Sequence, residues 1–311
     1  MTVTSKFPDI FRYLPPVLRQ PLSHISSAES SEIRELRLRL GKSMQIVCSQ
    51  TAFAVTAQGM RLPPEQSGII ITRAILDTCF QSICCHSVHS WQAAIRQGFI
   101  TIAGGCRVGL CGSAVIQNQQ LDTIRNISGM NFRIASERIG CAEPLFNRIR
   151  NNLRTGGVLI AGPPASGKTT LLRDLARVLG DNHRLCILDE RGEIAAVQNG
   201  VPQFSLGEQT DVFDGYPKAT GIEIAVRVMS PEYLICDEIG DEAETAHLLQ
   251  SMHTGVRIIA AAHAGNLMEL RQRPQIRRLL DAGVFRCAVM LGNGTQCGQV
   301  LAVEMLNGAA G

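Results

Sequence analysis

One octapeptide constrains this chain more than any other stretch: Gly162-Pro163-Pro164-Ala165-Ser166-Gly167-Lys168-Thr169, followed by Thr170. It fits the G-x-x-x-x-G-K-[ST] pattern of a phosphate-binding loop. A triphosphate tail packs several negative charges within a few ångströms. A loop that holds it must turn backbone N–H groups inward, and glycine permits both the dihedral angles and the close approach. A helix expected from about Lys168 points its positive end at the same place. Lys168 is expected to reach the β- and γ-phosphates, and Thr169 to offer its hydroxyl to a magnesium ion. The flanks match. Val158-Leu159-Ile160-Ala161 is an apolar strand before the loop, and Leu171, Leu172, Leu175, Val178 and Leu179 form an apolar helical stripe after it. The motif therefore implies an Mg-ATP site on an α/β fold.

Further apolar runs at 185–188, 233–236 and 258–262 alternate with helical segments. That pattern predicts a parallel sheet covered on both faces. Residues 288–291 and 300–305 flank Gly292-Asn293-Gly294 and predict a closing hairpin at the sheet edge. Helices are expected over 145–153, 221–230 and 241–255. The chain should divide near 140–152, giving an N-terminal α/β domain over 1–140 and the nucleotide-binding domain over 141–311. In the first, Glu32 to Leu40 alternate leucine with arginine, a half-buried strand. Its arginines face either solvent or a contact with a partner or a nucleotide edge. Residues 72–97 read as one helix stopped by Gly98, and 98–115 as two strands around Gly104-Gly105.

The strand at 233–236 delivers Asp237 and Glu238 at its tip, the Walker B arrangement. Asp237 is expected to hold magnesium and Glu238 to orient and polarise the attacking water. The alternative for Asp237 is a cap on the next helix. Asp189-Glu190-Arg191 follows a second strand, where ligands bind on such sheets, and supplies either a further water or magnesium contact or a helix cap with a surface ion pair. His263 ends a fourth strand and is a candidate γ-phosphate sensor, or else a hydrogen-bonded surface residue. Arg227 is a candidate for stabilising transferred charge, in cis or across a subunit interface, with Arg173 and Arg257 as rivals.

Composition narrows the partners. Aromatic residues make up 5% and the net charge is +3, which gives a base-stacking or strongly basic nucleic-acid surface little to build on. No run approaches the roughly 18 apolar residues of a membrane span. The opening MTVTSKFPDIFRYLPP lacks an apolar signal-peptide core, so a cytoplasmic chain is expected. Eleven cysteines are an odd number at irregular spacing. They are expected to stay reduced, with Cys186 and Cys236 as small core hydrophobes. Cys79, Cys84, Cys85, His86 and His89 cluster without the second ligand pair that zinc requires, so no metal is expected there.

In order along the chain, GPPASGKTTLLRDLAR, LDERGEIAA, AVRVMSPEYLICDEIGDEAE and GVRIIAAAHAGN resemble the stage III sporulation AA family of RecA-like ATPases, relatives of the type II and type IV secretion ATPases. EIRELRLRLGKSMQI, GFITIAGGCRVGLCG and NISGMNFRIA extend the resemblance over nearly the whole chain. It implies a RecA-like P-loop core with a smaller N-terminal domain making partner or ring contacts. It also implies a hexameric motor ATPase in the mother cell, docked on a membrane-embedded channel complex that joins mother cell and forespore. By the same resemblance Asp189 and Glu190 fall in the acidic box, Glu238 in Walker B and His263 in the histidine box. The chain departs from the pattern where Ala264 separates His263 from Gly265. Two other functions remain open: a RecA-like nucleic-acid motor, and a P-loop kinase for a small molecule. The lack of an LSGGQ-like signature before Asp237 speaks against an ABC-type ATPase.

Overall fold

The computed structural model describes residues 1–48, 51–85, 91–96, 98–117 and 119–306. They form two units, Val3–Glu137 and Arg138 onward, the latter with Met1–Thr2.

The first unit is built on an antiparallel sheet. β1 (Thr2–Ser5) pairs with β9 (Ser136–Ile139) where the chain enters and leaves it. Between them, β2 (Ile33–Arg39), β3 (Gln45–Cys48), β4 (Ala52–Val55), β5 (Arg61–Leu62), β6 (Phe99–Ile102), β7 (Cys106–Gln117) and β8 (Gln120–Arg133) stand in the order β5-β4-β3-β2-β8-β7-β6. Helices α1 (Pro16–Leu22), α2 (Ser27–Ser30), α3 (Arg73–Ile83) and α4 (Gln92–Arg96) accompany it. The Leu/Arg alternation of β2 does what a two-residue period dictates. Leu36 and Leu38 are fully buried in the core with Ile46, Val108 and Phe132. Arg37 and Arg39 bond instead to Glu35 at 2.5 Å and Gln45 at 2.8 Å. The helix expected over 72–97 is corrected. Thr72 caps it, but it ends at Ile83, and Cys85 stands at φ 47°, a left-handed conformation that a helix cannot continue through. The Gly104-Gly105 turn between β6 and β7 has φ of 74° and 73°, values that glycine adopts freely.

The second unit carries β10 (Gly157–Gly162), β11 (Leu185–Asp189), β12 (Thr210–Asp214), β13 (Tyr233–Glu238), β14 (Arg257–His263), β15 (Phe285–Leu291) and β16 (Val300–Met305). Their order is β12-β11-β13-β14-β10-β15-β16. All neighbours are parallel except β15 and β16, the expected antiparallel hairpin at the edge. Helices α5 (Glu143–Thr155), α6 (Lys168–Gly180), α7 (Lys218–Ile224), α8 (Glu242–Met252), α9 (Leu267–Gln272) and α10 (Pro274–Asp281) cover it.

Side-chain alternation sorts the strand residues between two cores. Val158, Ile160, Ile187, Ile235 and Ile259 pack with α5 and α6. Leu159, Ala161, Leu188, Leu234 and Ala260 pack with α7, α8, α9 and α10. This is why the strands read as unbroken apolar runs. Cys186 and Cys236 sit in the second core, and burial pushes both thiols up to about 12. The helix expected at 221–230 begins earlier, at Lys218, and continues as a π-helical turn over Ala225–Met229 before Ser230 stops it at φ 47°.

Candidate functional site

Sheet order sets the site. β14 lies between β10, which ends in the phosphate loop, and β13, which ends in Asp237-Glu238. Gly162 pairs with His263, and Glu238 pairs with Ala261 after a register shift that follows Cys236. His263 therefore stands at a strand tip between the loop and the acidic pair.

The loop has the backbone that a phosphate cradle needs. Gly167 caps α6 at φ 92°, and Ala165 stands at φ 59°. A Cβ on Gly162 would lie 2.5 Å from Ser166 Oγ, so only glycine fits there. That hydroxyl is buried and has no hydrogen-bond partner among the described residues. An orphaned buried hydroxyl inside a turn at a helix N-terminus fits an anionic ligand. Thr169 and Thr170 stand in the first turn of α6, half-buried, while Pro163 is half-buried and Pro164 exposed. The β15–β16 turn braces the loop: Gly298 N–H donates to the Ser166 carbonyl at 3.0 Å.

Lys168 is buried. Its Nζ donates to the carbonyls of Gly162 and Pro163, each at 2.8 Å, and lies 3.0 Å from His263 Nδ1. Burial pushes its ammonium below the usual lysine value, while Glu238 and Asp237 pull the other way. Because an ammonium only donates, Nδ1 of His263 accepts, and the ring proton resides on Nε2. That nitrogen donates to Glu238 Oε2 at 2.9 Å. The Glu238 carboxylate also faces Arg273, at 3.8 Å. Lys168, His263, Glu238 and Arg273 thus form one connected line.

Asp237 does not cap α8; Asp241 does, accepting from Glu244 N–H at 2.8 Å. Burial raises the Asp237 carboxyl above its usual range, and Glu193 and Asp189 add to this, against Lys218. A crowded, desolvated carboxylate of this kind gains from a bound cation. Magnesium shared with phosphate oxygens takes one or two carboxylates rather than a protein cage, so the residues present fit it.

The two members of the acidic box part ways. Asp189 is fully buried and accepts from the N–H groups of Glu193, Ile194 and Ala195, at 2.7 to 3.2 Å. It organises the following loop. Glu190 is half-exposed and lines a cleft of about 440 Å³ with Asp237, Glu238, Glu244, Lys218 and Arg273.

Among the arginines, Arg173 is anchored to the carbonyls of Ile194 and Glu193 and stacks 3.6 Å above Phe204. Arg257 begins β14, at the end away from His263, and bonds to the Arg154 carbonyl. Arg227 lies in the π-helical turn, two-thirds exposed, paired with Glu223 at 3.1 Å. The structure brings together Lys168, His263, Glu238, Asp237 and Glu190, and leaves Arg227 outside that group. Lys218, Glu244 and Arg273 are site residues that sequence reasoning missed. Only Glu244 had a local signal, the D-x-x-E cap pattern of Asp241 and Glu244, which speaks of a helix start and not of a site. Of the cysteine-histidine cluster, Cys79 and Cys84 are core residues and Cys85 is exposed; His86 and His89 lie outside the described residues. Among the described residues no group of three or more metal-ligating side chains is assembled.

Comparison with known proteins completes the picture. A family model described as "Sporulation stage III, protein AA" matches residues 4–310. Stage III sporulation protein AA of Bacillus subtilis (strain 168) is 36% identical over 285 residues, 89% of this chain and 88% of that protein. Among solved structures, the ATPase DotB of Legionella pneumophila aligns with a TM-score of 0.57 at 14% identity, over 90% of this chain and 76% of that one. The pilus retraction motor PilT, solved with bound ADP, aligns with a TM-score of 0.58 at 11% identity, over 88% and 76%. At such identities the likeness is one of fold, and that fold is the RecA-like one expected.

Proposed function

The chain belongs to the stage III sporulation protein AA family, and from that premise we propose that it is an Mg-dependent ATPase that drives or assembles the channel complex between mother cell and forespore. The observation that carries this reading is the Lys168–His263–Glu238 line beside a phosphate-loop turn. The loop backbone and Lys168 bind the phosphates. To do so Lys168 exchanges its contacts with the Gly162 and Pro163 carbonyls and with His263 Nδ1 for phosphate oxygens, and His263 senses the γ-phosphate through the loss of that Lys168 contact. Glu238, held by His263 Nε2–H, accepts a hydrogen bond from the attacking water and orients it. Thr169 and Asp237 would hold a magnesium ion, which would supply neutralisation of phosphate charge. Glu190 faces the same cleft and helps to order water there. Arg227, exposed on its π-helical turn, is available to a neighbouring subunit.

The fold, shared with the ATPase DotB and the pilus retraction motor PilT, is compatible with a motor, and the reading takes that motor to work as a ring of six copies. The family's place in sporulation supports a protein held in the mother-cell cytoplasm at the membrane by partners embedded there. No helix among the described residues is long and apolar enough to cross a membrane. The modest charge and scarce aromatics favour a protein partner over nucleic acid.

Glu238→Gln tests the water-orienting role. The variant should bind ATP with near-normal affinity and hydrolyse it about 10²–10³-fold more slowly, the usual cost of losing a positioned base. Loss of ATP binding in a folded variant would make Glu238 a structural residue and overturn the assignment.

A further inference from the structure

Lys218 opens α7, twenty residues before Glu238, and no local motif marks it. Its side chain is only 10% exposed, yet it carries an ammonium into the acidic cleft. Nζ donates to the backbone carbonyl of Glu238 and lies 3.4 Å from Glu244 Oε1 and 3.8 Å from Glu190 Oε2. Glu244, also 10% exposed, uses its other oxygen to accept from Gly240 N–H at 2.7 Å. The Lys218–Glu244 pair therefore grips the chain at both ends of Glu238-Ile239-Gly240. This segment needs gripping. The β13–β14 ladder slips register between Cys236 and Glu238, so pairing with β14 alone does not fix the direction of the Glu238 side chain. A buried ammonium is costly to desolvate, and a hydrophobe would fill the same space more cheaply. The contacts suit a role in which the charge and its directed N–H bonds matter.

We propose that Lys218, closed by Glu244, is a positioning residue for hydrolysis: it fixes the bulged backbone of Glu238 so that the carboxylate presents itself to the attacking water and to His263. This rests on the ATPase reading above and adds to it a residue that acts through Glu238 without touching nucleotide.

The test measures steady-state ATP hydrolysis, affinity for a non-hydrolysable ATP analogue and thermal unfolding in the full chain. Wild type and Lys168→Ala report on the ATPase reading itself. Lys218→Met should lower kcat by about 10- to 100-fold, the scale of a misdirected catalytic group, with KM and analogue affinity within about threefold of wild type. Lys218→Arg, which keeps a donating cation, should recover most of the lost rate. In a Glu238→Gln background, Lys218→Met should cost almost nothing further, because groups that act as a unit are not additive. If Lys218→Met does not fold, Lys218→Gln, which lacks the charge that pairs with Glu244 and is one bond too short to set its donor where Nζ stands, should show the same fall in kcat. An unchanged kcat in an active enzyme, an affinity loss as large as the rate loss, or full additivity with Glu238→Gln would each overturn the role of Lys218 alone. A wild type without turnover would instead overturn the ATPase reading, and this inference with it.

Discussion

Asp189 shows how much one buried carboxylate can organise. It sits at the tip of β11, fully buried, and its two oxygens take up the N–H groups of Glu193, Ile194 and Ala195. The position was legible in the sequence as an acidic strand tip; the choice between metal contact and cap was not, because both put an oxygen at the same place. The structure selects a cap, but for a loop and not for a helix. Asp189→Ala should leave those buried donors unpaired and cost about 3 kcal/mol or more, since an unsatisfied buried group costs about 1–3 kcal/mol. For a unit of this size that is a fall in Tm of roughly 6–12 °C. A melting curve that matches wild type would show that Asp189 is not the anchor. Glu190→Gln, next door and half-exposed, should leave Tm unchanged and act only on hydrolysis rate, so the pair separates stability from chemistry.

At the scale of elements, the parallel strands and α6 were readable because burial on both faces demands continuous apolar runs and a full helical stripe. β12 was not readable. Thr210–Asp214 is an edge strand with only Phe213 buried, and its Thr-Asp-Val-Phe-Asp pattern carries no run. Lys218 and Arg273 were also hidden, since each reaches Glu238 through tertiary packing and not through spacing along the chain. One contact between helices has a clear pH signature. Asp174 on α6 accepts from Gly140 N–H at 3.1 Å and Ala142 N–H at 2.7 Å, at the start of α5, and pairs with Arg177 at 2.7 Å. Burial pulls its carboxyl upward, but the bonds from Arg177, Ala142 and Gly140 outweigh this and hold it below the usual range. A lowered folded value means stability that is present above the unfolded carboxylate value and lost as pH falls through the folded one. Asp174→Asn should therefore be about 1–3 kcal/mol less stable than wild type near neutrality, with the gap closing in acid. Denaturant melts at pH 7 and pH 3 check this; a gap that stays constant would contradict it.

For the whole molecule, the described residues give each unit its own hydrophobic core, one in the first and two in the second. A fragment spanning 138–306 should consequently unfold as one cooperative transition by circular dichroism; a broad, non-cooperative melt would show that the core is incomplete without the first unit. The proposed ring predicts a nucleotide-dependent rise in solution mass from one copy to six with a non-hydrolysable ATP analogue, and a mass that never changes would leave assembly to partners. Everything about the motor, however, depends on a phosphate loop that binds ATP through Lys168. The most direct measurement is phosphate release from Mg-ATP by the purified chain and by its Lys168→Ala variant, side by side. Turnover in the wild type, cut by about 10²–10³-fold in the variant, is the expected result for removal of a charge-stabilising group. Equal turnover in the two proteins would contradict the account at its centre.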